Sequence, residues 1–408
     1  MDILESTLDI PLEILELIID EVAHRNDKET LKTISLSSRR FVDHCQKKLF
    51  HTIDLADKCI YGEDYYRRLH RILSQRPKFC SYVRDLRLVD SYVWDQSKDW
   101  VWLANEESIC DVLGILPNLH SFSLTFKTGQ PKWTSFNSYL RQALLDLAKR
   151  PSIVRYSLNR ISDFTPSLLV TLLMVKNLEL HDVQMNEVHL TSSLAVVQGI
   201  ASTSIPRLES LVLRVPSAST VHIIHTILSL YPIPMLRSLH VVFVNDTDDA
   251  LVTELWALLQ WSAPSLTELQ WRPSIRTNVL ASRPPRPIDI GILCQLETLH
   301  FLVNFHALPV FTELLAMLAQ VSSNTAFRAL VIECQFLKVV ELVACASDWL
   351  SLDTTLTRPV FNGLRSVVFY VRTRPVASMK ASARAILLEQ LPGARAKGVT
   401  LSFYTDLY

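Results

Sequence analysis

A short apolar pattern that recurs along the chain constrains its fold more than any other feature of the sequence. The pattern is apolar-x-x-apolar-x-apolar, and VRDLRL from Val83, LESLVL from Leu208 and LETLHF from Leu296 are typical copies. Successive copies lie mostly 28 to 37 residues apart, with one shorter step of 22. Self-similarity at a period of roughly 20 to 50 residues is typical of a solenoid. The central residues of the ten clearest copies are Leu86, Phe122, Tyr156, Leu178, Leu211, Leu239, Leu269, Leu299, Leu330 and Val367.

The segments between these copies predict helices. DTDDALVTELWALLQWSA, from Asp246, begins with acidic residues that suit a helix N-terminus and continues with leucines at helical spacing. SFNSYLRQALLDLAKRP, from Ser135, ends in a basic last turn followed by the helix breaker Pro151. Each unit is therefore predicted to be a strand, a turn and a helix. Because strands that alternate with helices favour a parallel sheet, the predicted fold class is α/β.

These copies resemble the leucine-rich repeat family, in the longer form that has a full helix on the convex side. The resemblance covers roughly residues 50 to 405 and implies a curved solenoid built on a parallel sheet. The family usually places Asn or Cys three residues after the last strand leucine, and only Asn304 fits that place here. The missing ladder of buried asparagines implies an irregular curvature. The alternative is an α/β protein whose strands repeat by chance.

A first helix in DIPLEILELIIDEV, residues 9 to 22, has more apolar surface than a single core-facing stripe requires. Two further short helices are predicted, one through Thr30 to Leu36 after the capping-box-like Asn26-Asp27-Lys28-Glu29, and one from Arg39 to Leu49. Three short helices cannot bury all of this apolar surface in their own core. Part of it is therefore predicted to be covered by something else. The main stripe of the first helix is Leu12, Leu15, Ile19 and Val22, and Ile14, Leu17 and Ile18 widen it.

This segment resembles an F-box, close to the version found in many fungal proteins. The family's opening Leu-Pro-x-Glu-Ile/Leu appears as Ile10-Pro11-Leu12-Glu13-Ile14. Its Ser/Cys-rich turn, followed by basic and aromatic residues, appears as Ser35-Leu36-Ser37-Ser38-Arg39-Arg40-Phe41. The departures are Ile10 in place of Leu and the absence of the Cys-x-x-Trp-like core of animal members. They put the affinity for the family's partner in doubt, but not the fold.

The F-box resemblance implies that the head packs onto the Skp-type adaptor of an SCF-type cullin–RING ubiquitin ligase. The chain would then be a substrate-recognition subunit and not an enzyme, because partner enzymes do the transfer chemistry. The alternative is a non-ligase protein-interaction scaffold whose helical head only caps the solenoid, since terminal repeats need a cap. By position, the implied adaptor contacts are Ile10, Pro11, Ile14, Leu15 and Ile18, and the implied internal core is Leu12, Ile19, Val22, Ile34 and Phe41.

The predicted organisation has three parts. Residues 1–50 form the F-box-like helical head, and residues 51–80 form a connecting strand and helix that act as a first capping unit. The strand is HTIDL and the helix lies around Tyr65 to Leu73. Residues 81–408 form the leucine-rich-repeat-like solenoid.

Strand residues that alternate with the core positions are predicted to project onto the concave side and to bind a protein target. This side becomes apolar further along, at Val331, Val368 and Tyr370. A polar stretch beside an apolar one suits a protein or peptide ligand. The alternatives are a solvated sheet face without a ligand, or a site in the loops such as the Pro-rich link at residues 284–287. The predicted target-binding residues are Arg155, Glu179, His181, Arg214, His240, Gln270, Arg272 and His300.

The composition bounds the partners and the compartment. Lys plus Arg equals Asp plus Glu, at 41 each, so no net charge favours nucleic acid or an anionic membrane as a partner. The seven cysteines include no C-x-x-C pair, and no leader is recognisable, which predicts a cytoplasmic or nuclear protein, or both. No cofactor, metal or catalytic residue is predicted. His222-x-x-His225 lacks further ligands, and GARAKGVT has Val399 where a phosphate-binding loop needs lysine.

Overall fold

The computed structural model divides the chain into two compact units, Met1–Ile161 and Ser162–Tyr408. Each unit combines parallel strands with helices that connect them, so the α/β fold class predicted from the repeats is confirmed. The described residues are 11–25, 27–55, 64–90, 107–185, 208–214, 217–230, 235–242, 249–272, 289–305, 311–322, 325–335, 339–372 and 377–405.

In the described residues of the first unit, three helices are followed by four strands and the helices that connect them. The strands follow chain order in the sheet and pair in parallel, β1 with β2, β2 with β3 and β3 with β4. Its elements are α1 Leu12–His24, α2 Lys28–Ser37, α3 Arg39–Phe50, β1 Thr52–Leu55, α4 Asp64–Gln75, α5 Pro77–Tyr82, β2 Asp85–Asp90, α6 Ser108–Ile115, β3 Ser121–Phe126, α7 Ser138–Lys149 and β4 Arg155–Asn159. A short 3-10 turn, Trp133–Ser135, precedes α7.

In the described residues of the second unit there are eight strands, and each pairs in parallel with the next along the chain. Its strands are β5 Asn177–His181, β6 Ser210–Arg214, β7 Ser238–Val242, β8 Glu268–Arg272, β9 Thr298–Asn304, β10 Ala329–Gln335, β11 Ser366–Arg372 and β12 Thr400–Thr405. Its helices are α8 Pro166–Leu172, α9 Ser217–Leu230, α10 Asp249–Ser262, α11 Thr312–Ala319, α12 Val339–Ala344, α13 Ala346–Leu356, α14 Ala377–Glu389 and α15 Pro392–Ala396. Two 3-10 turns, Ile290–Ile292 and Pro359–Phe361, precede β9 and β11.

The repeat positions of the sequence form columns of buried side chains. In the second unit Leu239 pairs in register with Leu211 on one side and with Leu269 on the other. All ten central residues of the repeats are buried, with at most 1% exposure. The alternation follows from strand geometry, because successive side chains point to opposite faces of a sheet. The predicted strand positions are therefore confirmed.

The helices between strands contribute the other half of each core. In α10, Leu251, Leu255, Leu258 and Leu259 are all buried, as their helical spacing predicts. The segment from Ser135 forms α7, and it ends at Lys149, before Pro151. Asn137 caps α7, since its side-chain oxygen accepts a hydrogen bond from the Leu140 backbone N–H at 2.6 Å.

The three head helices enclose a small core of Ile19, Leu31 and Cys45. Burial raises the pKa of the Cys45 thiol. Helices α2 and α3 each have a side-chain cap at the N-terminus. The Asp27 carboxylate accepts from the Thr30 backbone N–H at 3.0 Å, and the Ser38 hydroxyl accepts from the Arg40 N–H. The partly buried residues around this core are Val22, Ala23, Ile34, Phe41 and Leu49.

Helix α3 attaches the head to the first strands of its own unit. The Asp43 carboxylate accepts hydrogen bonds from the Lys78 ammonium and the Tyr82 hydroxyl, both of which belong to α5. These partners, Lys78 first, hold the pKa of Asp43 well below its usual range. The rings of Phe50 and Phe79 stack at a centroid distance of 4.5 Å. Helix α3 thus joins the head to α5 by both polar and apolar contacts.

Candidate functional site

The outward side of α1 carries a cluster of exposed apolar side chains. Ile14, Leu17 and Ile18 are exposed by 47%, 64% and 50%, although they are large aliphatic residues. We call these three residues the head patch. It borders a surface groove with a volume of about 440 Å³. The groove is lined by Ile14, Leu17, Ile18, Glu21, Val22, Arg25 and Asp27.

The residues that the F-box resemblance implies for adaptor contact fall in different environments. Pro11, Ile14 and Ile18 are exposed, whereas Leu15 is half-buried. Ile10 lies outside the described residues. Leu17 is absent from the implied set although it is the most exposed of the head patch. Its helical position, three residues after Ile14, could have identified it.

The prediction that Leu12 belongs to the head core is wrong. Leu12 shares a stripe with Ile19 and was expected to be buried, but it is 47% exposed. The other expected core positions, Ile19, Val22, Ile34 and Phe41, do belong to the head core. Leu12 is the first residue of α1, a full two turns before Ile19, and the head core reaches only the later turns of this helix. The helical spacing therefore places Leu12 on the same side of α1 as Ile19, but it does not predict that Leu12 is exposed.

In the second unit, the side chains that alternate with the buried columns line the other face of the sheet, which we call the sheet face. Seven of the eight predicted target-binding residues lie on it. Arg155, the eighth, is exposed on β4 in the first unit, so it is not part of this group. One row of the sheet face is Glu179, Val212, His240, Gln270, His300, Val331 and Val368, and the row two residues further on is His181, Arg214, Val242, Arg272, Leu302, Glu333, Tyr370 and Tyr404.

Four residues of the sheet face form a hydrogen-bonded chain that we call the polar rib. With its amide oxygen facing Arg272, Gln270 accepts from the guanidinium Nε and Nη2 at 3.0 and 2.9 Å. Its amide nitrogen then donates to Nδ1 of His240 at 3.1 Å. Arg272 Nη2 also donates to the Glu333 carboxylate at 2.6 Å. The rib therefore joins side chains from β7, β8 and β10.

The ion pair at the end of the rib crosses over an intervening strand. Arg272 and Glu333 occupy positions on either side of Leu302, which lies on β9 at the same register. The side chains of Arg272 and Glu333 are only 19% and 8% exposed. Since their bond bridges β8 and β10, it covers Leu302, which is itself 8% exposed although it lies on the sheet face. Glu333 was not among the predicted residues.

Three histidines, His181, His240 and His300, lie on alternate strands of the sheet face. Burial, together with the nearby charges of Arg272 and the neighbouring histidines, lowers the pKa of His240 to about 3. Burial also lowers the pKa of His300. His240 is therefore a neutral hydrogen-bonding group at neutral pH. Because its Nδ1 accepts from Gln270, its proton resides on Nε2.

The far end of the sheet face is aromatic. Tyr370 on β11 and Tyr404 on β12 stack with ring centroids 5.3 Å apart and an interplanar angle of 22°. Tyr404 is 52% exposed. The predicted change from a polar to an apolar surface along the strands is thus present at Tyr370, and the structure adds Tyr404. The sequence signal for Tyr404 is that it directly follows GVTLSF, residues 398–403, a degenerate last copy of the repeat, just as Tyr370 directly follows the copy LRSVVF, residues 364–369.

No group of three or more His, Cys, Asp or Glu side chains is arranged to hold a metal ion within the described ranges. Among the helices that the structure describes, none is long and apolar enough to cross a membrane. His222 and His225 lie on α9, where His225 is exposed.

The fold and these surfaces define a leucine-rich-repeat-like α/β solenoid with a helical head. No protein-family model matches the chain. A comparison with curated proteins also finds no match. Among solved structures, the chain is similar to the crystal structure of the leucine-rich repeat-containing protein LegL7 from Legionella pneumophila, with 14% sequence identity, a TM-score of 0.40, and coverage of 87% of this chain and 90% of that chain. The assignment of the solenoid rests on the chain's own repeats and parallel strands.

Proposed function

We propose that this protein is a substrate-recognition subunit of an SCF-type cullin–RING ubiquitin ligase. In this proposal the head binds a Skp-type adaptor and the sheet face binds a protein target. The chain holds and positions the target, and partner enzymes carry out the ubiquitin transfer without a cofactor or metal bound to this chain. The protein would act in the cytoplasm, the nucleus or both.

The exposed head patch is the observation that supports the proposal most. The head has a closed core of its own at Ile19, Leu31 and Cys45, so Ile14, Leu17 and Ile18 are not needed to complete it. Exposed aliphatic side chains grouped on one helix mark a surface for another protein. The F-box-like sequence around them suggests which class of protein that is.

The experiment is a quantitative adaptor-binding measurement with the full chain and its Ile14→Asp variant. A carboxylate in an apolar interface without a partner costs several kcal/mol, so we expect affinity for the adaptor to fall by at least about a hundredfold. The matched control is Leu350→Asp, which changes an exposed leucine on α13 in the second unit. The control variant should bind the adaptor as tightly as the wild type.

Equal binding by the wild type and Ile14→Asp would contradict the assigned contact surface. Failure of the wild type itself to bind a Skp-type adaptor would contradict the ligase assignment. Circular dichroism of both variants should match the wild type, because both positions lie outside the buried core.

A second candidate function is a protein-interaction scaffold whose head only caps the strands. The contacts of α3 favour it, since Asp43 and Phe50 bind the head to α5. A cap is expected to place its apolar residues against the strands, however, and the head patch does not do so. The two functions differ in one measurable respect. If the head is only a cap, Ile14→Asp should change no binding, and removal of residues 1–50 should destabilise the first unit.

A further inference from the structure

Three acidic side chains of the sheet face lie next to basic residues. Each of three glutamates lies within ion-pair distance of a basic side chain on the same face. Glu333 is paired with a permanent cation, whereas Glu268 lies beside an imidazole whose pKa is lowered by burial and which is therefore neutral at neutral pH. The pairs are Glu179 with His181 at 3.8 Å, Glu268 with His300 at 3.7 Å, and Glu333 with Arg272 at 2.6 Å.

Arg214 differs from Arg272, the other arginine of this face, which is paired with Glu333. It is the last residue of β6, follows the buried Leu213 and is exposed on the sheet face. Its backbone carbonyl accepts a hydrogen bond from the Asp182 N–H, but in the described part of the chain no carboxylate lies within ion-pair distance of its guanidinium. A guanidinium fork that is exposed and unpaired is suited to bind a carboxylate in two parallel hydrogen bonds.

The aromatic end of the face offers a different kind of contact. The stacked rings of Tyr370 and Tyr404 leave the outer ring half exposed beside Val368. Tyrosine rings provide a large apolar surface with little conformational entropy to lose, and they are enriched where proteins bind other proteins. This end is suited to a large apolar or aromatic side chain.

The strand order fixes the separation of the two contacts. Five inter-strand steps separate β6 from β11, and six separate β6 from β12. At about 4.8 Å per step, Arg214 and the tyrosines are therefore about 24 to 29 Å apart along the sheet. An extended peptide advances about 3.3 Å per residue, so it spans this distance with about seven to nine residues.

We propose that the sheet face of the second unit binds an extended peptide segment with two anchors, an acidic residue that pairs with Arg214 and a large apolar residue about seven to nine positions away that packs on Tyr404. The polar rib lies between the anchors and, being hydrogen-bonded already, gives the peptide a pre-formed floor. The inference deepens the proposed function, because such a segment would belong to the target protein. It favours a peptide over a nucleic acid, since among the described residues of the face only the Arg214 guanidinium has no carboxylate within ion-pair distance, and nucleic acids need several phosphate contacts.

The structure also identifies the most informative variants. His240 and Gln270 belong to the rib, so replacing them would disturb the fold as well as the binding. Arg214 and Tyr404 are exposed and outside the rib, and changing them should leave the fold intact. Matched controls are available in Arg384, an exposed arginine on α14, and Tyr139, an exposed tyrosine on α7.

The experiment is a selection from a random dodecapeptide library against the full chain, followed by fluorescence anisotropy with the selected peptides. For the wild type we expect enrichment of Asp or Glu and of an aromatic or large aliphatic residue at the stated separation. Arg214→Glu should weaken the selected peptides by about tenfold or more and should select Lys or Arg in place of the acid. Tyr404→Ser should remove the preference for the large apolar residue. Arg214→Gln should weaken binding without selecting a basic residue.

Several outcomes would overturn the peptide site. These are the absence of enrichment, an acidic preference that survives Arg214→Glu, equal losses with Arg384→Glu or Tyr139→Ser, and displacement of the peptide by a single-stranded oligonucleotide at equal concentration. The test is independent of the ligase assignment. Arg214→Glu should bind the adaptor like the wild type, and absent adaptor binding by the wild type would contradict the ligase proposal while leaving the peptide site supported or refuted by its own data.

Discussion

Helix α1 and the strands of the second unit use the same kind of residue in opposite ways. In the strands, Leu239, Leu269 and Leu299 are fully buried, because they point to the core face of the sheet. In α1, Ile14 and Leu17 are about half exposed, although they are as apolar as the strand residues. The core face of a sheet that packs against helices buries a whole row of side chains, whereas a helix at the surface buries only the side that faces its core. Apolar residues of α1 beyond those that the head core needs therefore indicate a binding surface, whereas the regularly spaced apolar residues of the strands indicate the core.

The largest effect that tests this comparison is expected from truncating a strand leucine. Leu239→Ala should lower the free energy of unfolding by about 2 to 5 kcal/mol, because it opens a cavity between Leu211 and Leu269. Leu17→Ala on α1 should change it by no more than about 0.5 kcal/mol. Urea denaturation of the full chain, followed by fluorescence and circular dichroism, measures both. Similar losses for the two variants would show that the head patch is part of a core.

The sequence predicted the columns of the core because they depend on local alternation and on a repeat. Leu239 and its equivalents are found by aligning copies, with no knowledge of the structure. The N-caps of α2 at Asp27 and of α3 at Ser38 can also be predicted from the sequence, since capping depends on residues within one turn. The exposure of Leu12 could not be predicted from the sequence, because it depends on how far the core of the head extends along α1.

The polar rib shows what the sequence could indicate only in part. Seven residues of the sheet face were predicted from alternation, but the partner of Arg272 was not among them. Glu333 lies three residues after Leu330, as Arg272 lies three residues after Leu269, so the aligned repeats place both in one row. Alignment alone does not show that the pair bridges two strands, since that depends on side-chain reach across Leu302. The unpaired state of Arg214 likewise depends on where the carboxylates of other strands lie.

A second prediction compares this ion pair with one on α1. Arg272→Leu should lower the free energy of unfolding by about 2 to 3 kcal/mol, because it leaves the Glu333 carboxylate buried without its cation. The exposed pair Arg25–Glu21, at 2.9 Å on α1, is the matched case. Arg25→Leu should cost no more than about 0.5 kcal/mol, since a solvated pair contributes little. The measurement is again the urea midpoint with its slope.

The double variant Arg272→Leu with Glu333→Leu sharpens the second prediction. Removing both charges leaves no buried carboxylate, so the double variant should recover most of the stability that Arg272→Leu loses. An equal or larger loss in the double variant would mean that the rib is stabilised by packing over Leu302 and not by charge pairing.

The smallest expected effect concerns the pH dependence that His240 gives to the sheet face. In the folded chain its pKa is lowered to about 3, mainly by burial and then by the charge of Arg272, while in the unfolded chain it is near the ordinary 6.5. Between these two values the unfolded state binds the proton and the folded state does not. Stability therefore falls as the pH decreases below 6.5, and this loss is complete at the folded pKa.

Replacing the imidazole should remove this part of the pH dependence. From pH 7.5 to pH 5.5, protonation of His240 in the unfolded chain should lower the stability of the wild type by about 1 kcal/mol. His240→Asn cannot take up that proton, so its stability should fall by correspondingly less over the same range, even though it is less stable than the wild type at pH 7.5 because Gln270 loses its acceptor. Urea midpoints at the two pH values give the difference directly. The head lacks this buried imidazole, so Leu17→Ala should show the wild-type dependence. An unchanged dependence in His240→Asn would mean that the imidazole is solvated and that the sheet face is open at the rib, as α1 is at the head patch.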